Sequence, residues 1–448
     1  MILTIIISIV LSLRAETLTE AQLLKSVEEN FSLIQAEVLS FEATKNDVVA
    51  ADGNFDHKLK FKTRKNIEDV YQNDYFETSL ARKTPYGGMD LVVGHRQGNG
   101  RFATYDNFYK TSGMGELFAG LTLPVLRNFK IDQERLDLKL SQLNQELAQE
   151  ELNLKKLIYK HKALNLFYKW ILETKKVEIR SQILKLAEER QEMIAKKVSA
   201  GDTEKIKIND NMRTIDKRRD ELLKSQVDLQ KIKTELALFL RDADGQAFNL
   251  DKFNNKITDL VTHSVDELKF NPSELTQLNL LKKQLKLLNE QKSFFKNQRL
   301  PLLNLDLLAT RELSGNNPYD PQALKVGLNF ELPIENRKAQ GKSVSFEYKI
   351  LSLQKKLDYY TNEINQLFNF SVSASRANLE RFNVIKREFE NSKLMAEAEK
   401  KKWLSGESDM FIFNLREQDQ AEVEIKKWTA LIESKAYLLD AKLFSNRL

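Results

Sequence analysis

Between Asp132 and Val198 the apolar residues Leu140, Leu143, Leu147, Leu154, Leu157, Leu164, Tyr168 and Ile171 recur at spacings of three and four, with Glu150 and His161 as polar members of the same register. This repeat predicts a coiled-coil seam. No Pro or Gly interrupts it, so the run reads as one helix of roughly 65 residues, on the order of 100 Å long at about 1.5 Å per residue. It stops at Ala200-Gly201-Asp202-Thr203, where Gly suits a left-handed cap and Asp or Thr caps the next helix. A return helix follows to about Leu240. The plan then recurs: a helix from about Lys342 to Leu404, a break at Ser405-Gly406-Glu407-Ser408-Asp409, and a return helix to about Ala441. Superposing the two breaks sets residues 196–201 over 401–406 and Asn209 over Asn414, which marks an internal duplication. Residues 19–50 read as one further helix, opened by Thr19.

Ahead of each long helix the period changes from 3.6 to 2, the signature of strands. Leu303, Leu305, Leu307 and Ala309 alternate with Asn304, Asp306 and Thr310, and after the turn-rich residues 314–321, Val326, Leu328, Phe330 and Leu332 alternate with Lys325, Asn329 and Glu331. In the first half, Phe55, Leu59 and Phe61 oppose Asp56, Lys58, Lys60, Lys62 and Arg64, and Leu117, Ala119, Leu121 and Leu123 close the segment. Strands of about eight to ten residues match a tilted crossing of a bilayer. The stretch from Tyr75 to Arg96 alternates only in part and reads as an added hairpin, either joined to the sheet or external to it. Two strands per half make about four per chain, too few to close a barrel, which needs about eight at least. The pattern therefore demands oligomerisation.

Composition sharpens this picture at a few points. All seven Pro lie outside the long helical runs, and only Gly201 and Gly245 fall between Pro124 and Pro272. The opening Met1 to Leu13 is an apolar core of about a dozen residues, too short to span a bilayer, and reads as a secretory signal over residues 1–15 although no Lys or Arg precedes it. The alternative is a buried N-terminal strand. Without any Cys, an exported chain has neither disulfides nor a cysteine-linked lipid anchor. With 70 basic and 64 acidic residues the charge is spread over helix faces, and no basic block with interleaved aromatics marks a nucleic-acid surface. Enzyme signatures fail. His57, His95, His161 and His263 lack metal-ligand spacing, and the glycines from Gly94 to Gly100 lack the Lys-Ser/Thr of a phosphate loop. No cofactor or metal is expected. The Lys58, Lys60, Lys62 row reads as a hydrated lumen or loop-facing edge rather than a substrate selector.

Several strings carry a resemblance. Leu121-Thr-Leu-Pro124-Val-Leu-Arg-Asn128 and Leu328-Asn-Phe-Glu-Leu-Pro333-Ile stand at the strand-to-helix exits, Arg299-Leu-Pro301 stands at the entry to the second strand pair, and Lys83-Thr-Pro-Tyr-Gly-Gly88 forms a Pro-x-Gly-Gly turn. In this order, on a duplicated frame, they resemble the TolC-like outer-membrane efflux proteins over nearly the whole chain. The fold class implied is mainly α with membrane β: duplicated helical hairpins forming a coiled-coil tunnel, with about four strands per chain contributed to a trimeric twelve-stranded barrel. The organisation expected is a signal (1–15), a first repeat (16–245, strands 54–123, tip at 201), a linker (246–265) and a second repeat (266–448, strands 301–333, tip at 406).

The resemblance implies a non-enzymatic homotrimeric channel in the outer membrane with a periplasmic helical portion. Its partners would be a periplasmic adaptor, an inner-membrane transporter and outer-membrane lipid, with no nucleic acid. The adaptor would dock at Ala200, Gly201, Asp202, Thr203, Ser405, Gly406, Glu407 and Ser408. Family members place carboxylates six and nine residues beyond the second Gly turn. Here Ile412 and Leu415 hold those positions, so the tunnel aperture is expected to be apolar, with Trp403 joining it and an acidic ring moved to Asp419. Spacing puts Ser408, Ile412, Leu415 and Asp419 on one helix face. The plain alternative for that face, and for Trp403, is packing against neighbours. A soluble periplasmic adaptor or a structural coiled coil is the competing class, and detergent dependence separates it from a barrel.

Overall fold

A computed structural model describes residues 16–67, 70–242, 244–250, 253–254, 268–313 and 322–447. The expected signal, the connector at 314–321 and most of the 246–265 linker lie outside the described residues. In chain order the elements are β1 (Glu16–Thr17), α1 (Glu20–Asn30), α2 (Ser32–Asp52), β2 (Lys58–Asn66), β3 (Asn73–Lys83), β4 (Asp90–Gly100), β5 (Glu116–Pro124), α3 (Gln133–Ser199), α4 (Ile206–Ala237), β6 (Phe253–Asn254), α5 (Thr276–Asn297), β7 (Leu302–Glu312), β8 (Gln322–Glu331), α6 (Arg337–Ser405) and α7 (Met410–Leu443). The long helices α3 and α6 contain 67 and 69 residues. Where one helix was expected over 19–50 there are two. Thr19 caps the first in a capping box with Gln22. Phe31 then leaves helical geometry, and its ring is buried against Phe239 and Tyr159 at 4.7 and 4.9 Å.

The chain forms two compact units, each drawing on segments from both halves of the chain. The first comprises Met1–Val38, Leu152–Thr276 and Tyr360–Leu448. Its core joins Leu164, Phe167, Trp170 and Ile171 of α3 to Leu23, Val27, Leu236, Phe239, Leu431 and Leu439. His161 sits at the edge of this packing as a polar seam residue, hydrogen-bonded to Asp440 of α7 at 2.7 Å. β1 and β6 form a short parallel pair in the same unit.

The second unit comprises Leu39–Glu151 and Gln277–Tyr359 and carries an antiparallel sheet of order β2-β3-β4-β5-β7-β8. Six strands stand where about four were expected, because the stretch from Tyr75 to Arg96 supplies β3 and β4 as full members, paired from Asn73↔Gly100 to Lys83↔Asp90. Their alternation is faint in the sequence because Thr78, His95 and Gln97 share the apolar side with Phe76, Leu80, Leu91 and Val93. The turn between them, residues 84–89, lies at the helix end of the sheet and seats on the start of α3. Gly88 has φ +65, and a Cβ there would lie 2.9 Å from the Asn128 backbone oxygen, so the turn favours glycine at this approach.

Register assigns each strand residue to a face. One face carries Leu59, Phe61, Leu80, Val93, Ala119, Leu121, Leu305, Leu307, Val326, Leu328 and Phe330. The other carries Lys58, Lys60, Lys62, Arg64, Arg96, Glu116, Thr122, Asp306 and Lys325. Among the described residues of the single chain nothing covers the apolar face: Leu328 is 72% and Phe61 68% exposed. No helix among the described residues is long and apolar enough to cross a membrane.

Candidate functional site

The two helical hairpins turn by the same geometry. Gly201 (φ 79) and Gly406 (φ 82) take the left-handed conformation. The amides of Gly201 and Asp202 donate to Val198 and Lys197 carbonyls, and those of Gly406 and Glu407 to Trp403 and Lys402 carbonyls. This is the Schellman pattern, twice, in matching positions. A Cβ at either glycine meets nothing within 4 Å. Ala200, Gly201, Asp202, Ser405, Gly406 and Glu407 are exposed, while Thr203 and Ser408 are half-buried, the latter hydrogen-bonded to Glu399. All eight expected docking residues therefore lie at hairpin ends.

Behind the turns the hairpins are packed together. Trp403 is buried in a cluster with Ile194, Met410 and Phe413, its ring stacked on Phe413 at 5.5 Å, and Lys197 Nζ lies 5.2 Å from its centroid. Asp409 caps α7 by accepting the Phe411 amide at 3.0 Å and also meets Lys207 of α4 at 3.3 Å. The backbone hydrogen bond, then Lys207, hold its carboxyl below the ordinary range. Between the two turns lies a groove of about 300 Å³ bordered by Lys197, Thr203, Lys207, Gly406 and Ser408.

α7 thus has two faces near its start. Met410, Phe413, Glu417 and Ala421 are buried. Ile412, Leu415 and Asp419 are exposed on another side, where Phe411, unremarked in the sequence, is the most exposed at 72%. The structure keeps Ile412, Leu415 and Asp419 together and separates Trp403 from them.

One turn deeper sits a group that sequence reasoning missed. Glu417 Oε2 meets Arg190 at 2.5 Å and Arg218 at 3.1 Å. Both guanidinium groups are almost fully buried, and Arg218 also donates to the Ile183 carbonyl at 2.7 Å. Arg190 additionally reaches Asn414 and covers the Phe413 ring at 4.3 Å. Burial, opposed by Glu417, lowers the Arg218 pKa from its ordinary value. The available signal was a charged residue in seam register: Arg190 falls between Ala187 and Ile194, and Arg218 between Ile215 and Leu222. Asn414 makes such a contact, whereas its duplicate Asn209 is exposed.

No family model matches the sequence, and no curated protein matches it. Solved structures are similar over nearly its whole length. The outer membrane protein VceC of Vibrio cholerae has a TM-score of 0.68 at 14% identity, with 95% of this chain and 94% of that chain covered. The outer membrane channel CmeC of Campylobacter jejuni has 0.66 at 10%, covering 96% and 86%. The channel MtrE of Neisseria gonorrhoeae, solved in an open state, has 0.65 at 10%, covering 97% and 92%. The chain has the fold of these outer-membrane channels.

Proposed function

We propose that this chain is the outer-membrane subunit of a tripartite export system, a passive homotrimeric duct fed by an inner-membrane transporter through a periplasmic adaptor. The observation that carries the reading is the six-stranded sheet whose one apolar face is bare, and whose edges β2 and β8 are unpaired, among the described residues of the single chain. Bare edges and a bare apolar face are unstable in water, and both are satisfied when copies close a barrel in lipid. A soluble adaptor has no use for such a face. A leader at 1–15 and the repeat organisation 16–245, 246–265 and 266–448 fit this export route.

The exposed turns at Gly201 and Gly406, with the groove between them, are the proposed adaptor contact. Ile412 and Leu415, with Asp419 one turn up, are the proposed aperture, narrowed by three apolar copies that resist wetting; Trp403 supports them from the packed layer behind. Membrane fractionation followed by mass measurement in detergent tests the reading. The expected result is an outer-membrane particle of three chains; a stable soluble monomer refutes it.

A further inference from the structure

The connection between β4 and β5, residues 101–115, folds back over the polar face of the sheet at the end away from the helices. Tyr109 meets Tyr75 of β3 edge-on at 4.9 Å, and Tyr75 is only 2% exposed although it stands on the polar face. Phe102 and Ala103 are buried with it. Arg64 stacks on the Tyr109 ring at 4.7 Å and pairs with Asp106 at 3.2 Å, and the Lys62 ammonium lies 5.7 Å from the same ring. The backbone is tied down as well. Thr111 donates its amide to the Gly98 carbonyl at 3.1 Å and accepts the Gly98 amide on its hydroxyl at 3.0 Å. A Cβ at Gly98 would lie 1.9 Å from the Tyr109 carbonyl oxygen, so the strand is shaped to receive the segment.

On the channel reading above, on which this inference rests, the polar face lines the lumen. Three copies of six strands make eighteen, and strands about 4.8 Å apart at a tilt of about 40° then enclose a backbone diameter of about 36 Å, against about 24 Å for twelve. Such a bore is open to water unless something fills it. We infer that residues 102–111 form a fixed constriction inside the barrel, and that the Lys58, Lys60, Lys62 row favours anionic solutes. Several polar-face carboxylates have partners of their own: Glu77 accepts from the Tyr75 hydroxyl, Glu116 pairs with Arg96, Asp306 accepts from Thr122, and Glu331 accepts from Arg127. Asp90 of β4 acts on Lys60, Glu134, itself paired with Lys83, acts on Lys58, and Glu312 stands opposite Glu116, so they offset part of the positive charge of the face. Lys58 and Lys60 stand exposed. Three such rows focus a positive potential within the low-dielectric wall of a barrel.

A natural sequence without Cys makes the test direct. Ala81→Cys places one thiol on the polar face opposite Lys58, on the helix side of the constriction. On intact cells, a polymer-linked maleimide should spare this thiol in the otherwise unchanged chain and label it once 102–109 are replaced by a short Gly-Ser linker; Tyr109→Ala should give partial labelling while keeping the backbone. In purified trimers, the rate ratio of an anionic to a cationic thiosulfonate should fall at least about tenfold in a Lys58→Glu, Lys60→Glu, Lys62→Glu background. Equal polymer labelling with the segment intact overturns the constriction, and an unchanged ratio overturns the anion preference. If even the small reagents fail to reach Ala81→Cys in an assembled trimer, the face is not a lumen and the channel reading itself fails.

Discussion

At the scale of single residues, the buried Arg190, Glu417, Arg218 group decides how α3, α4 and α7 are held about three turns behind the tips. Removing one partner of a buried pair leaves an uncompensated charge and costs about 3–5 kcal/mol, whereas exchanging the whole group for apolar residues is often neutral. Glu417→Ala is therefore expected to destabilise by roughly that amount, and Glu417→Ala with Arg190→Met and Arg218→Met to recover much of it, as measured by denaturant midpoints of the detergent-solubilised protein. Asp409 offers a pH test. Its folded carboxyl titrates below the unfolded value of about 3.9, so its contribution is present at neutral pH and is lost as pH falls through the lower folded value. Trp403 fluorescence should accordingly change only in strong acid, and Asp409→Asn, which keeps a capping side chain, should abolish that step. On the exposed side of α7, Ile412→Ser with Leu415→Ser is expected to raise single-channel conductance in a planar bilayer, and Asp419→Asn mainly to alter cation preference. Unchanged conductance with normal assembly would leave these residues a packing role.

At the scale of elements, α3 and α6 do the same job with different chemistry. The α3 seam is written in Leu and is legible from its spacing. Over 364–403 the buried positions of α6 are Ile364, Phe368, Ser371, Ser375, Asn378, Phe382, Ile385, Ser392, Ala396 and Trp403, the same three-and-four repeat with small polar residues in its middle. Hydropathy cannot display a seam made of serine. The serines are used for close approach: Ser375 and Ser434 of α7 each donate to the other's carbonyl at 2.9 and 2.8 Å. Ser375→Leu should overpack this contact and cost about 1–3 kcal/mol, readable as a lowered melting temperature, while Ser373→Leu on the exposed side should change little. At the helix ends, Gly406→Ala should cost about 1–2 kcal/mol from backbone conformation alone, because open space surrounds its Cβ.

At the scale of the whole molecule, the two hairpins and their turns were legible because each rests on neighbours in sequence: a repeat of three and four, a glycine with no side chain to strain, a proline at an exit. Two-residue alternation likewise marked β5, β7 and β8 as one-sided strands. What stayed hidden depended on residues far apart in the chain. β3 and β4 are recognised as strands of this sheet only through pairing, because Thr78 faces His95 and Phe76 faces Gln97, so their polar residues sit on the apolar side and blur the alternation. The fold of 101–115 back over Tyr75, Lys62 and Arg64 carries no local signature, since a loop's chemistry is the same whether it points outward or inward. The charged trio at Glu417 spans more than two hundred residues from end to end, and only packing reveals that one carboxylate serves two guanidinium groups. Periodicity by itself determined which segments are helices and strands, because local backbone preference and side-chain spacing act over a few residues. Tertiary structure alone decided how many strands share the sheet and what lies on its polar face, because those depend on contacts that close only when distant segments meet.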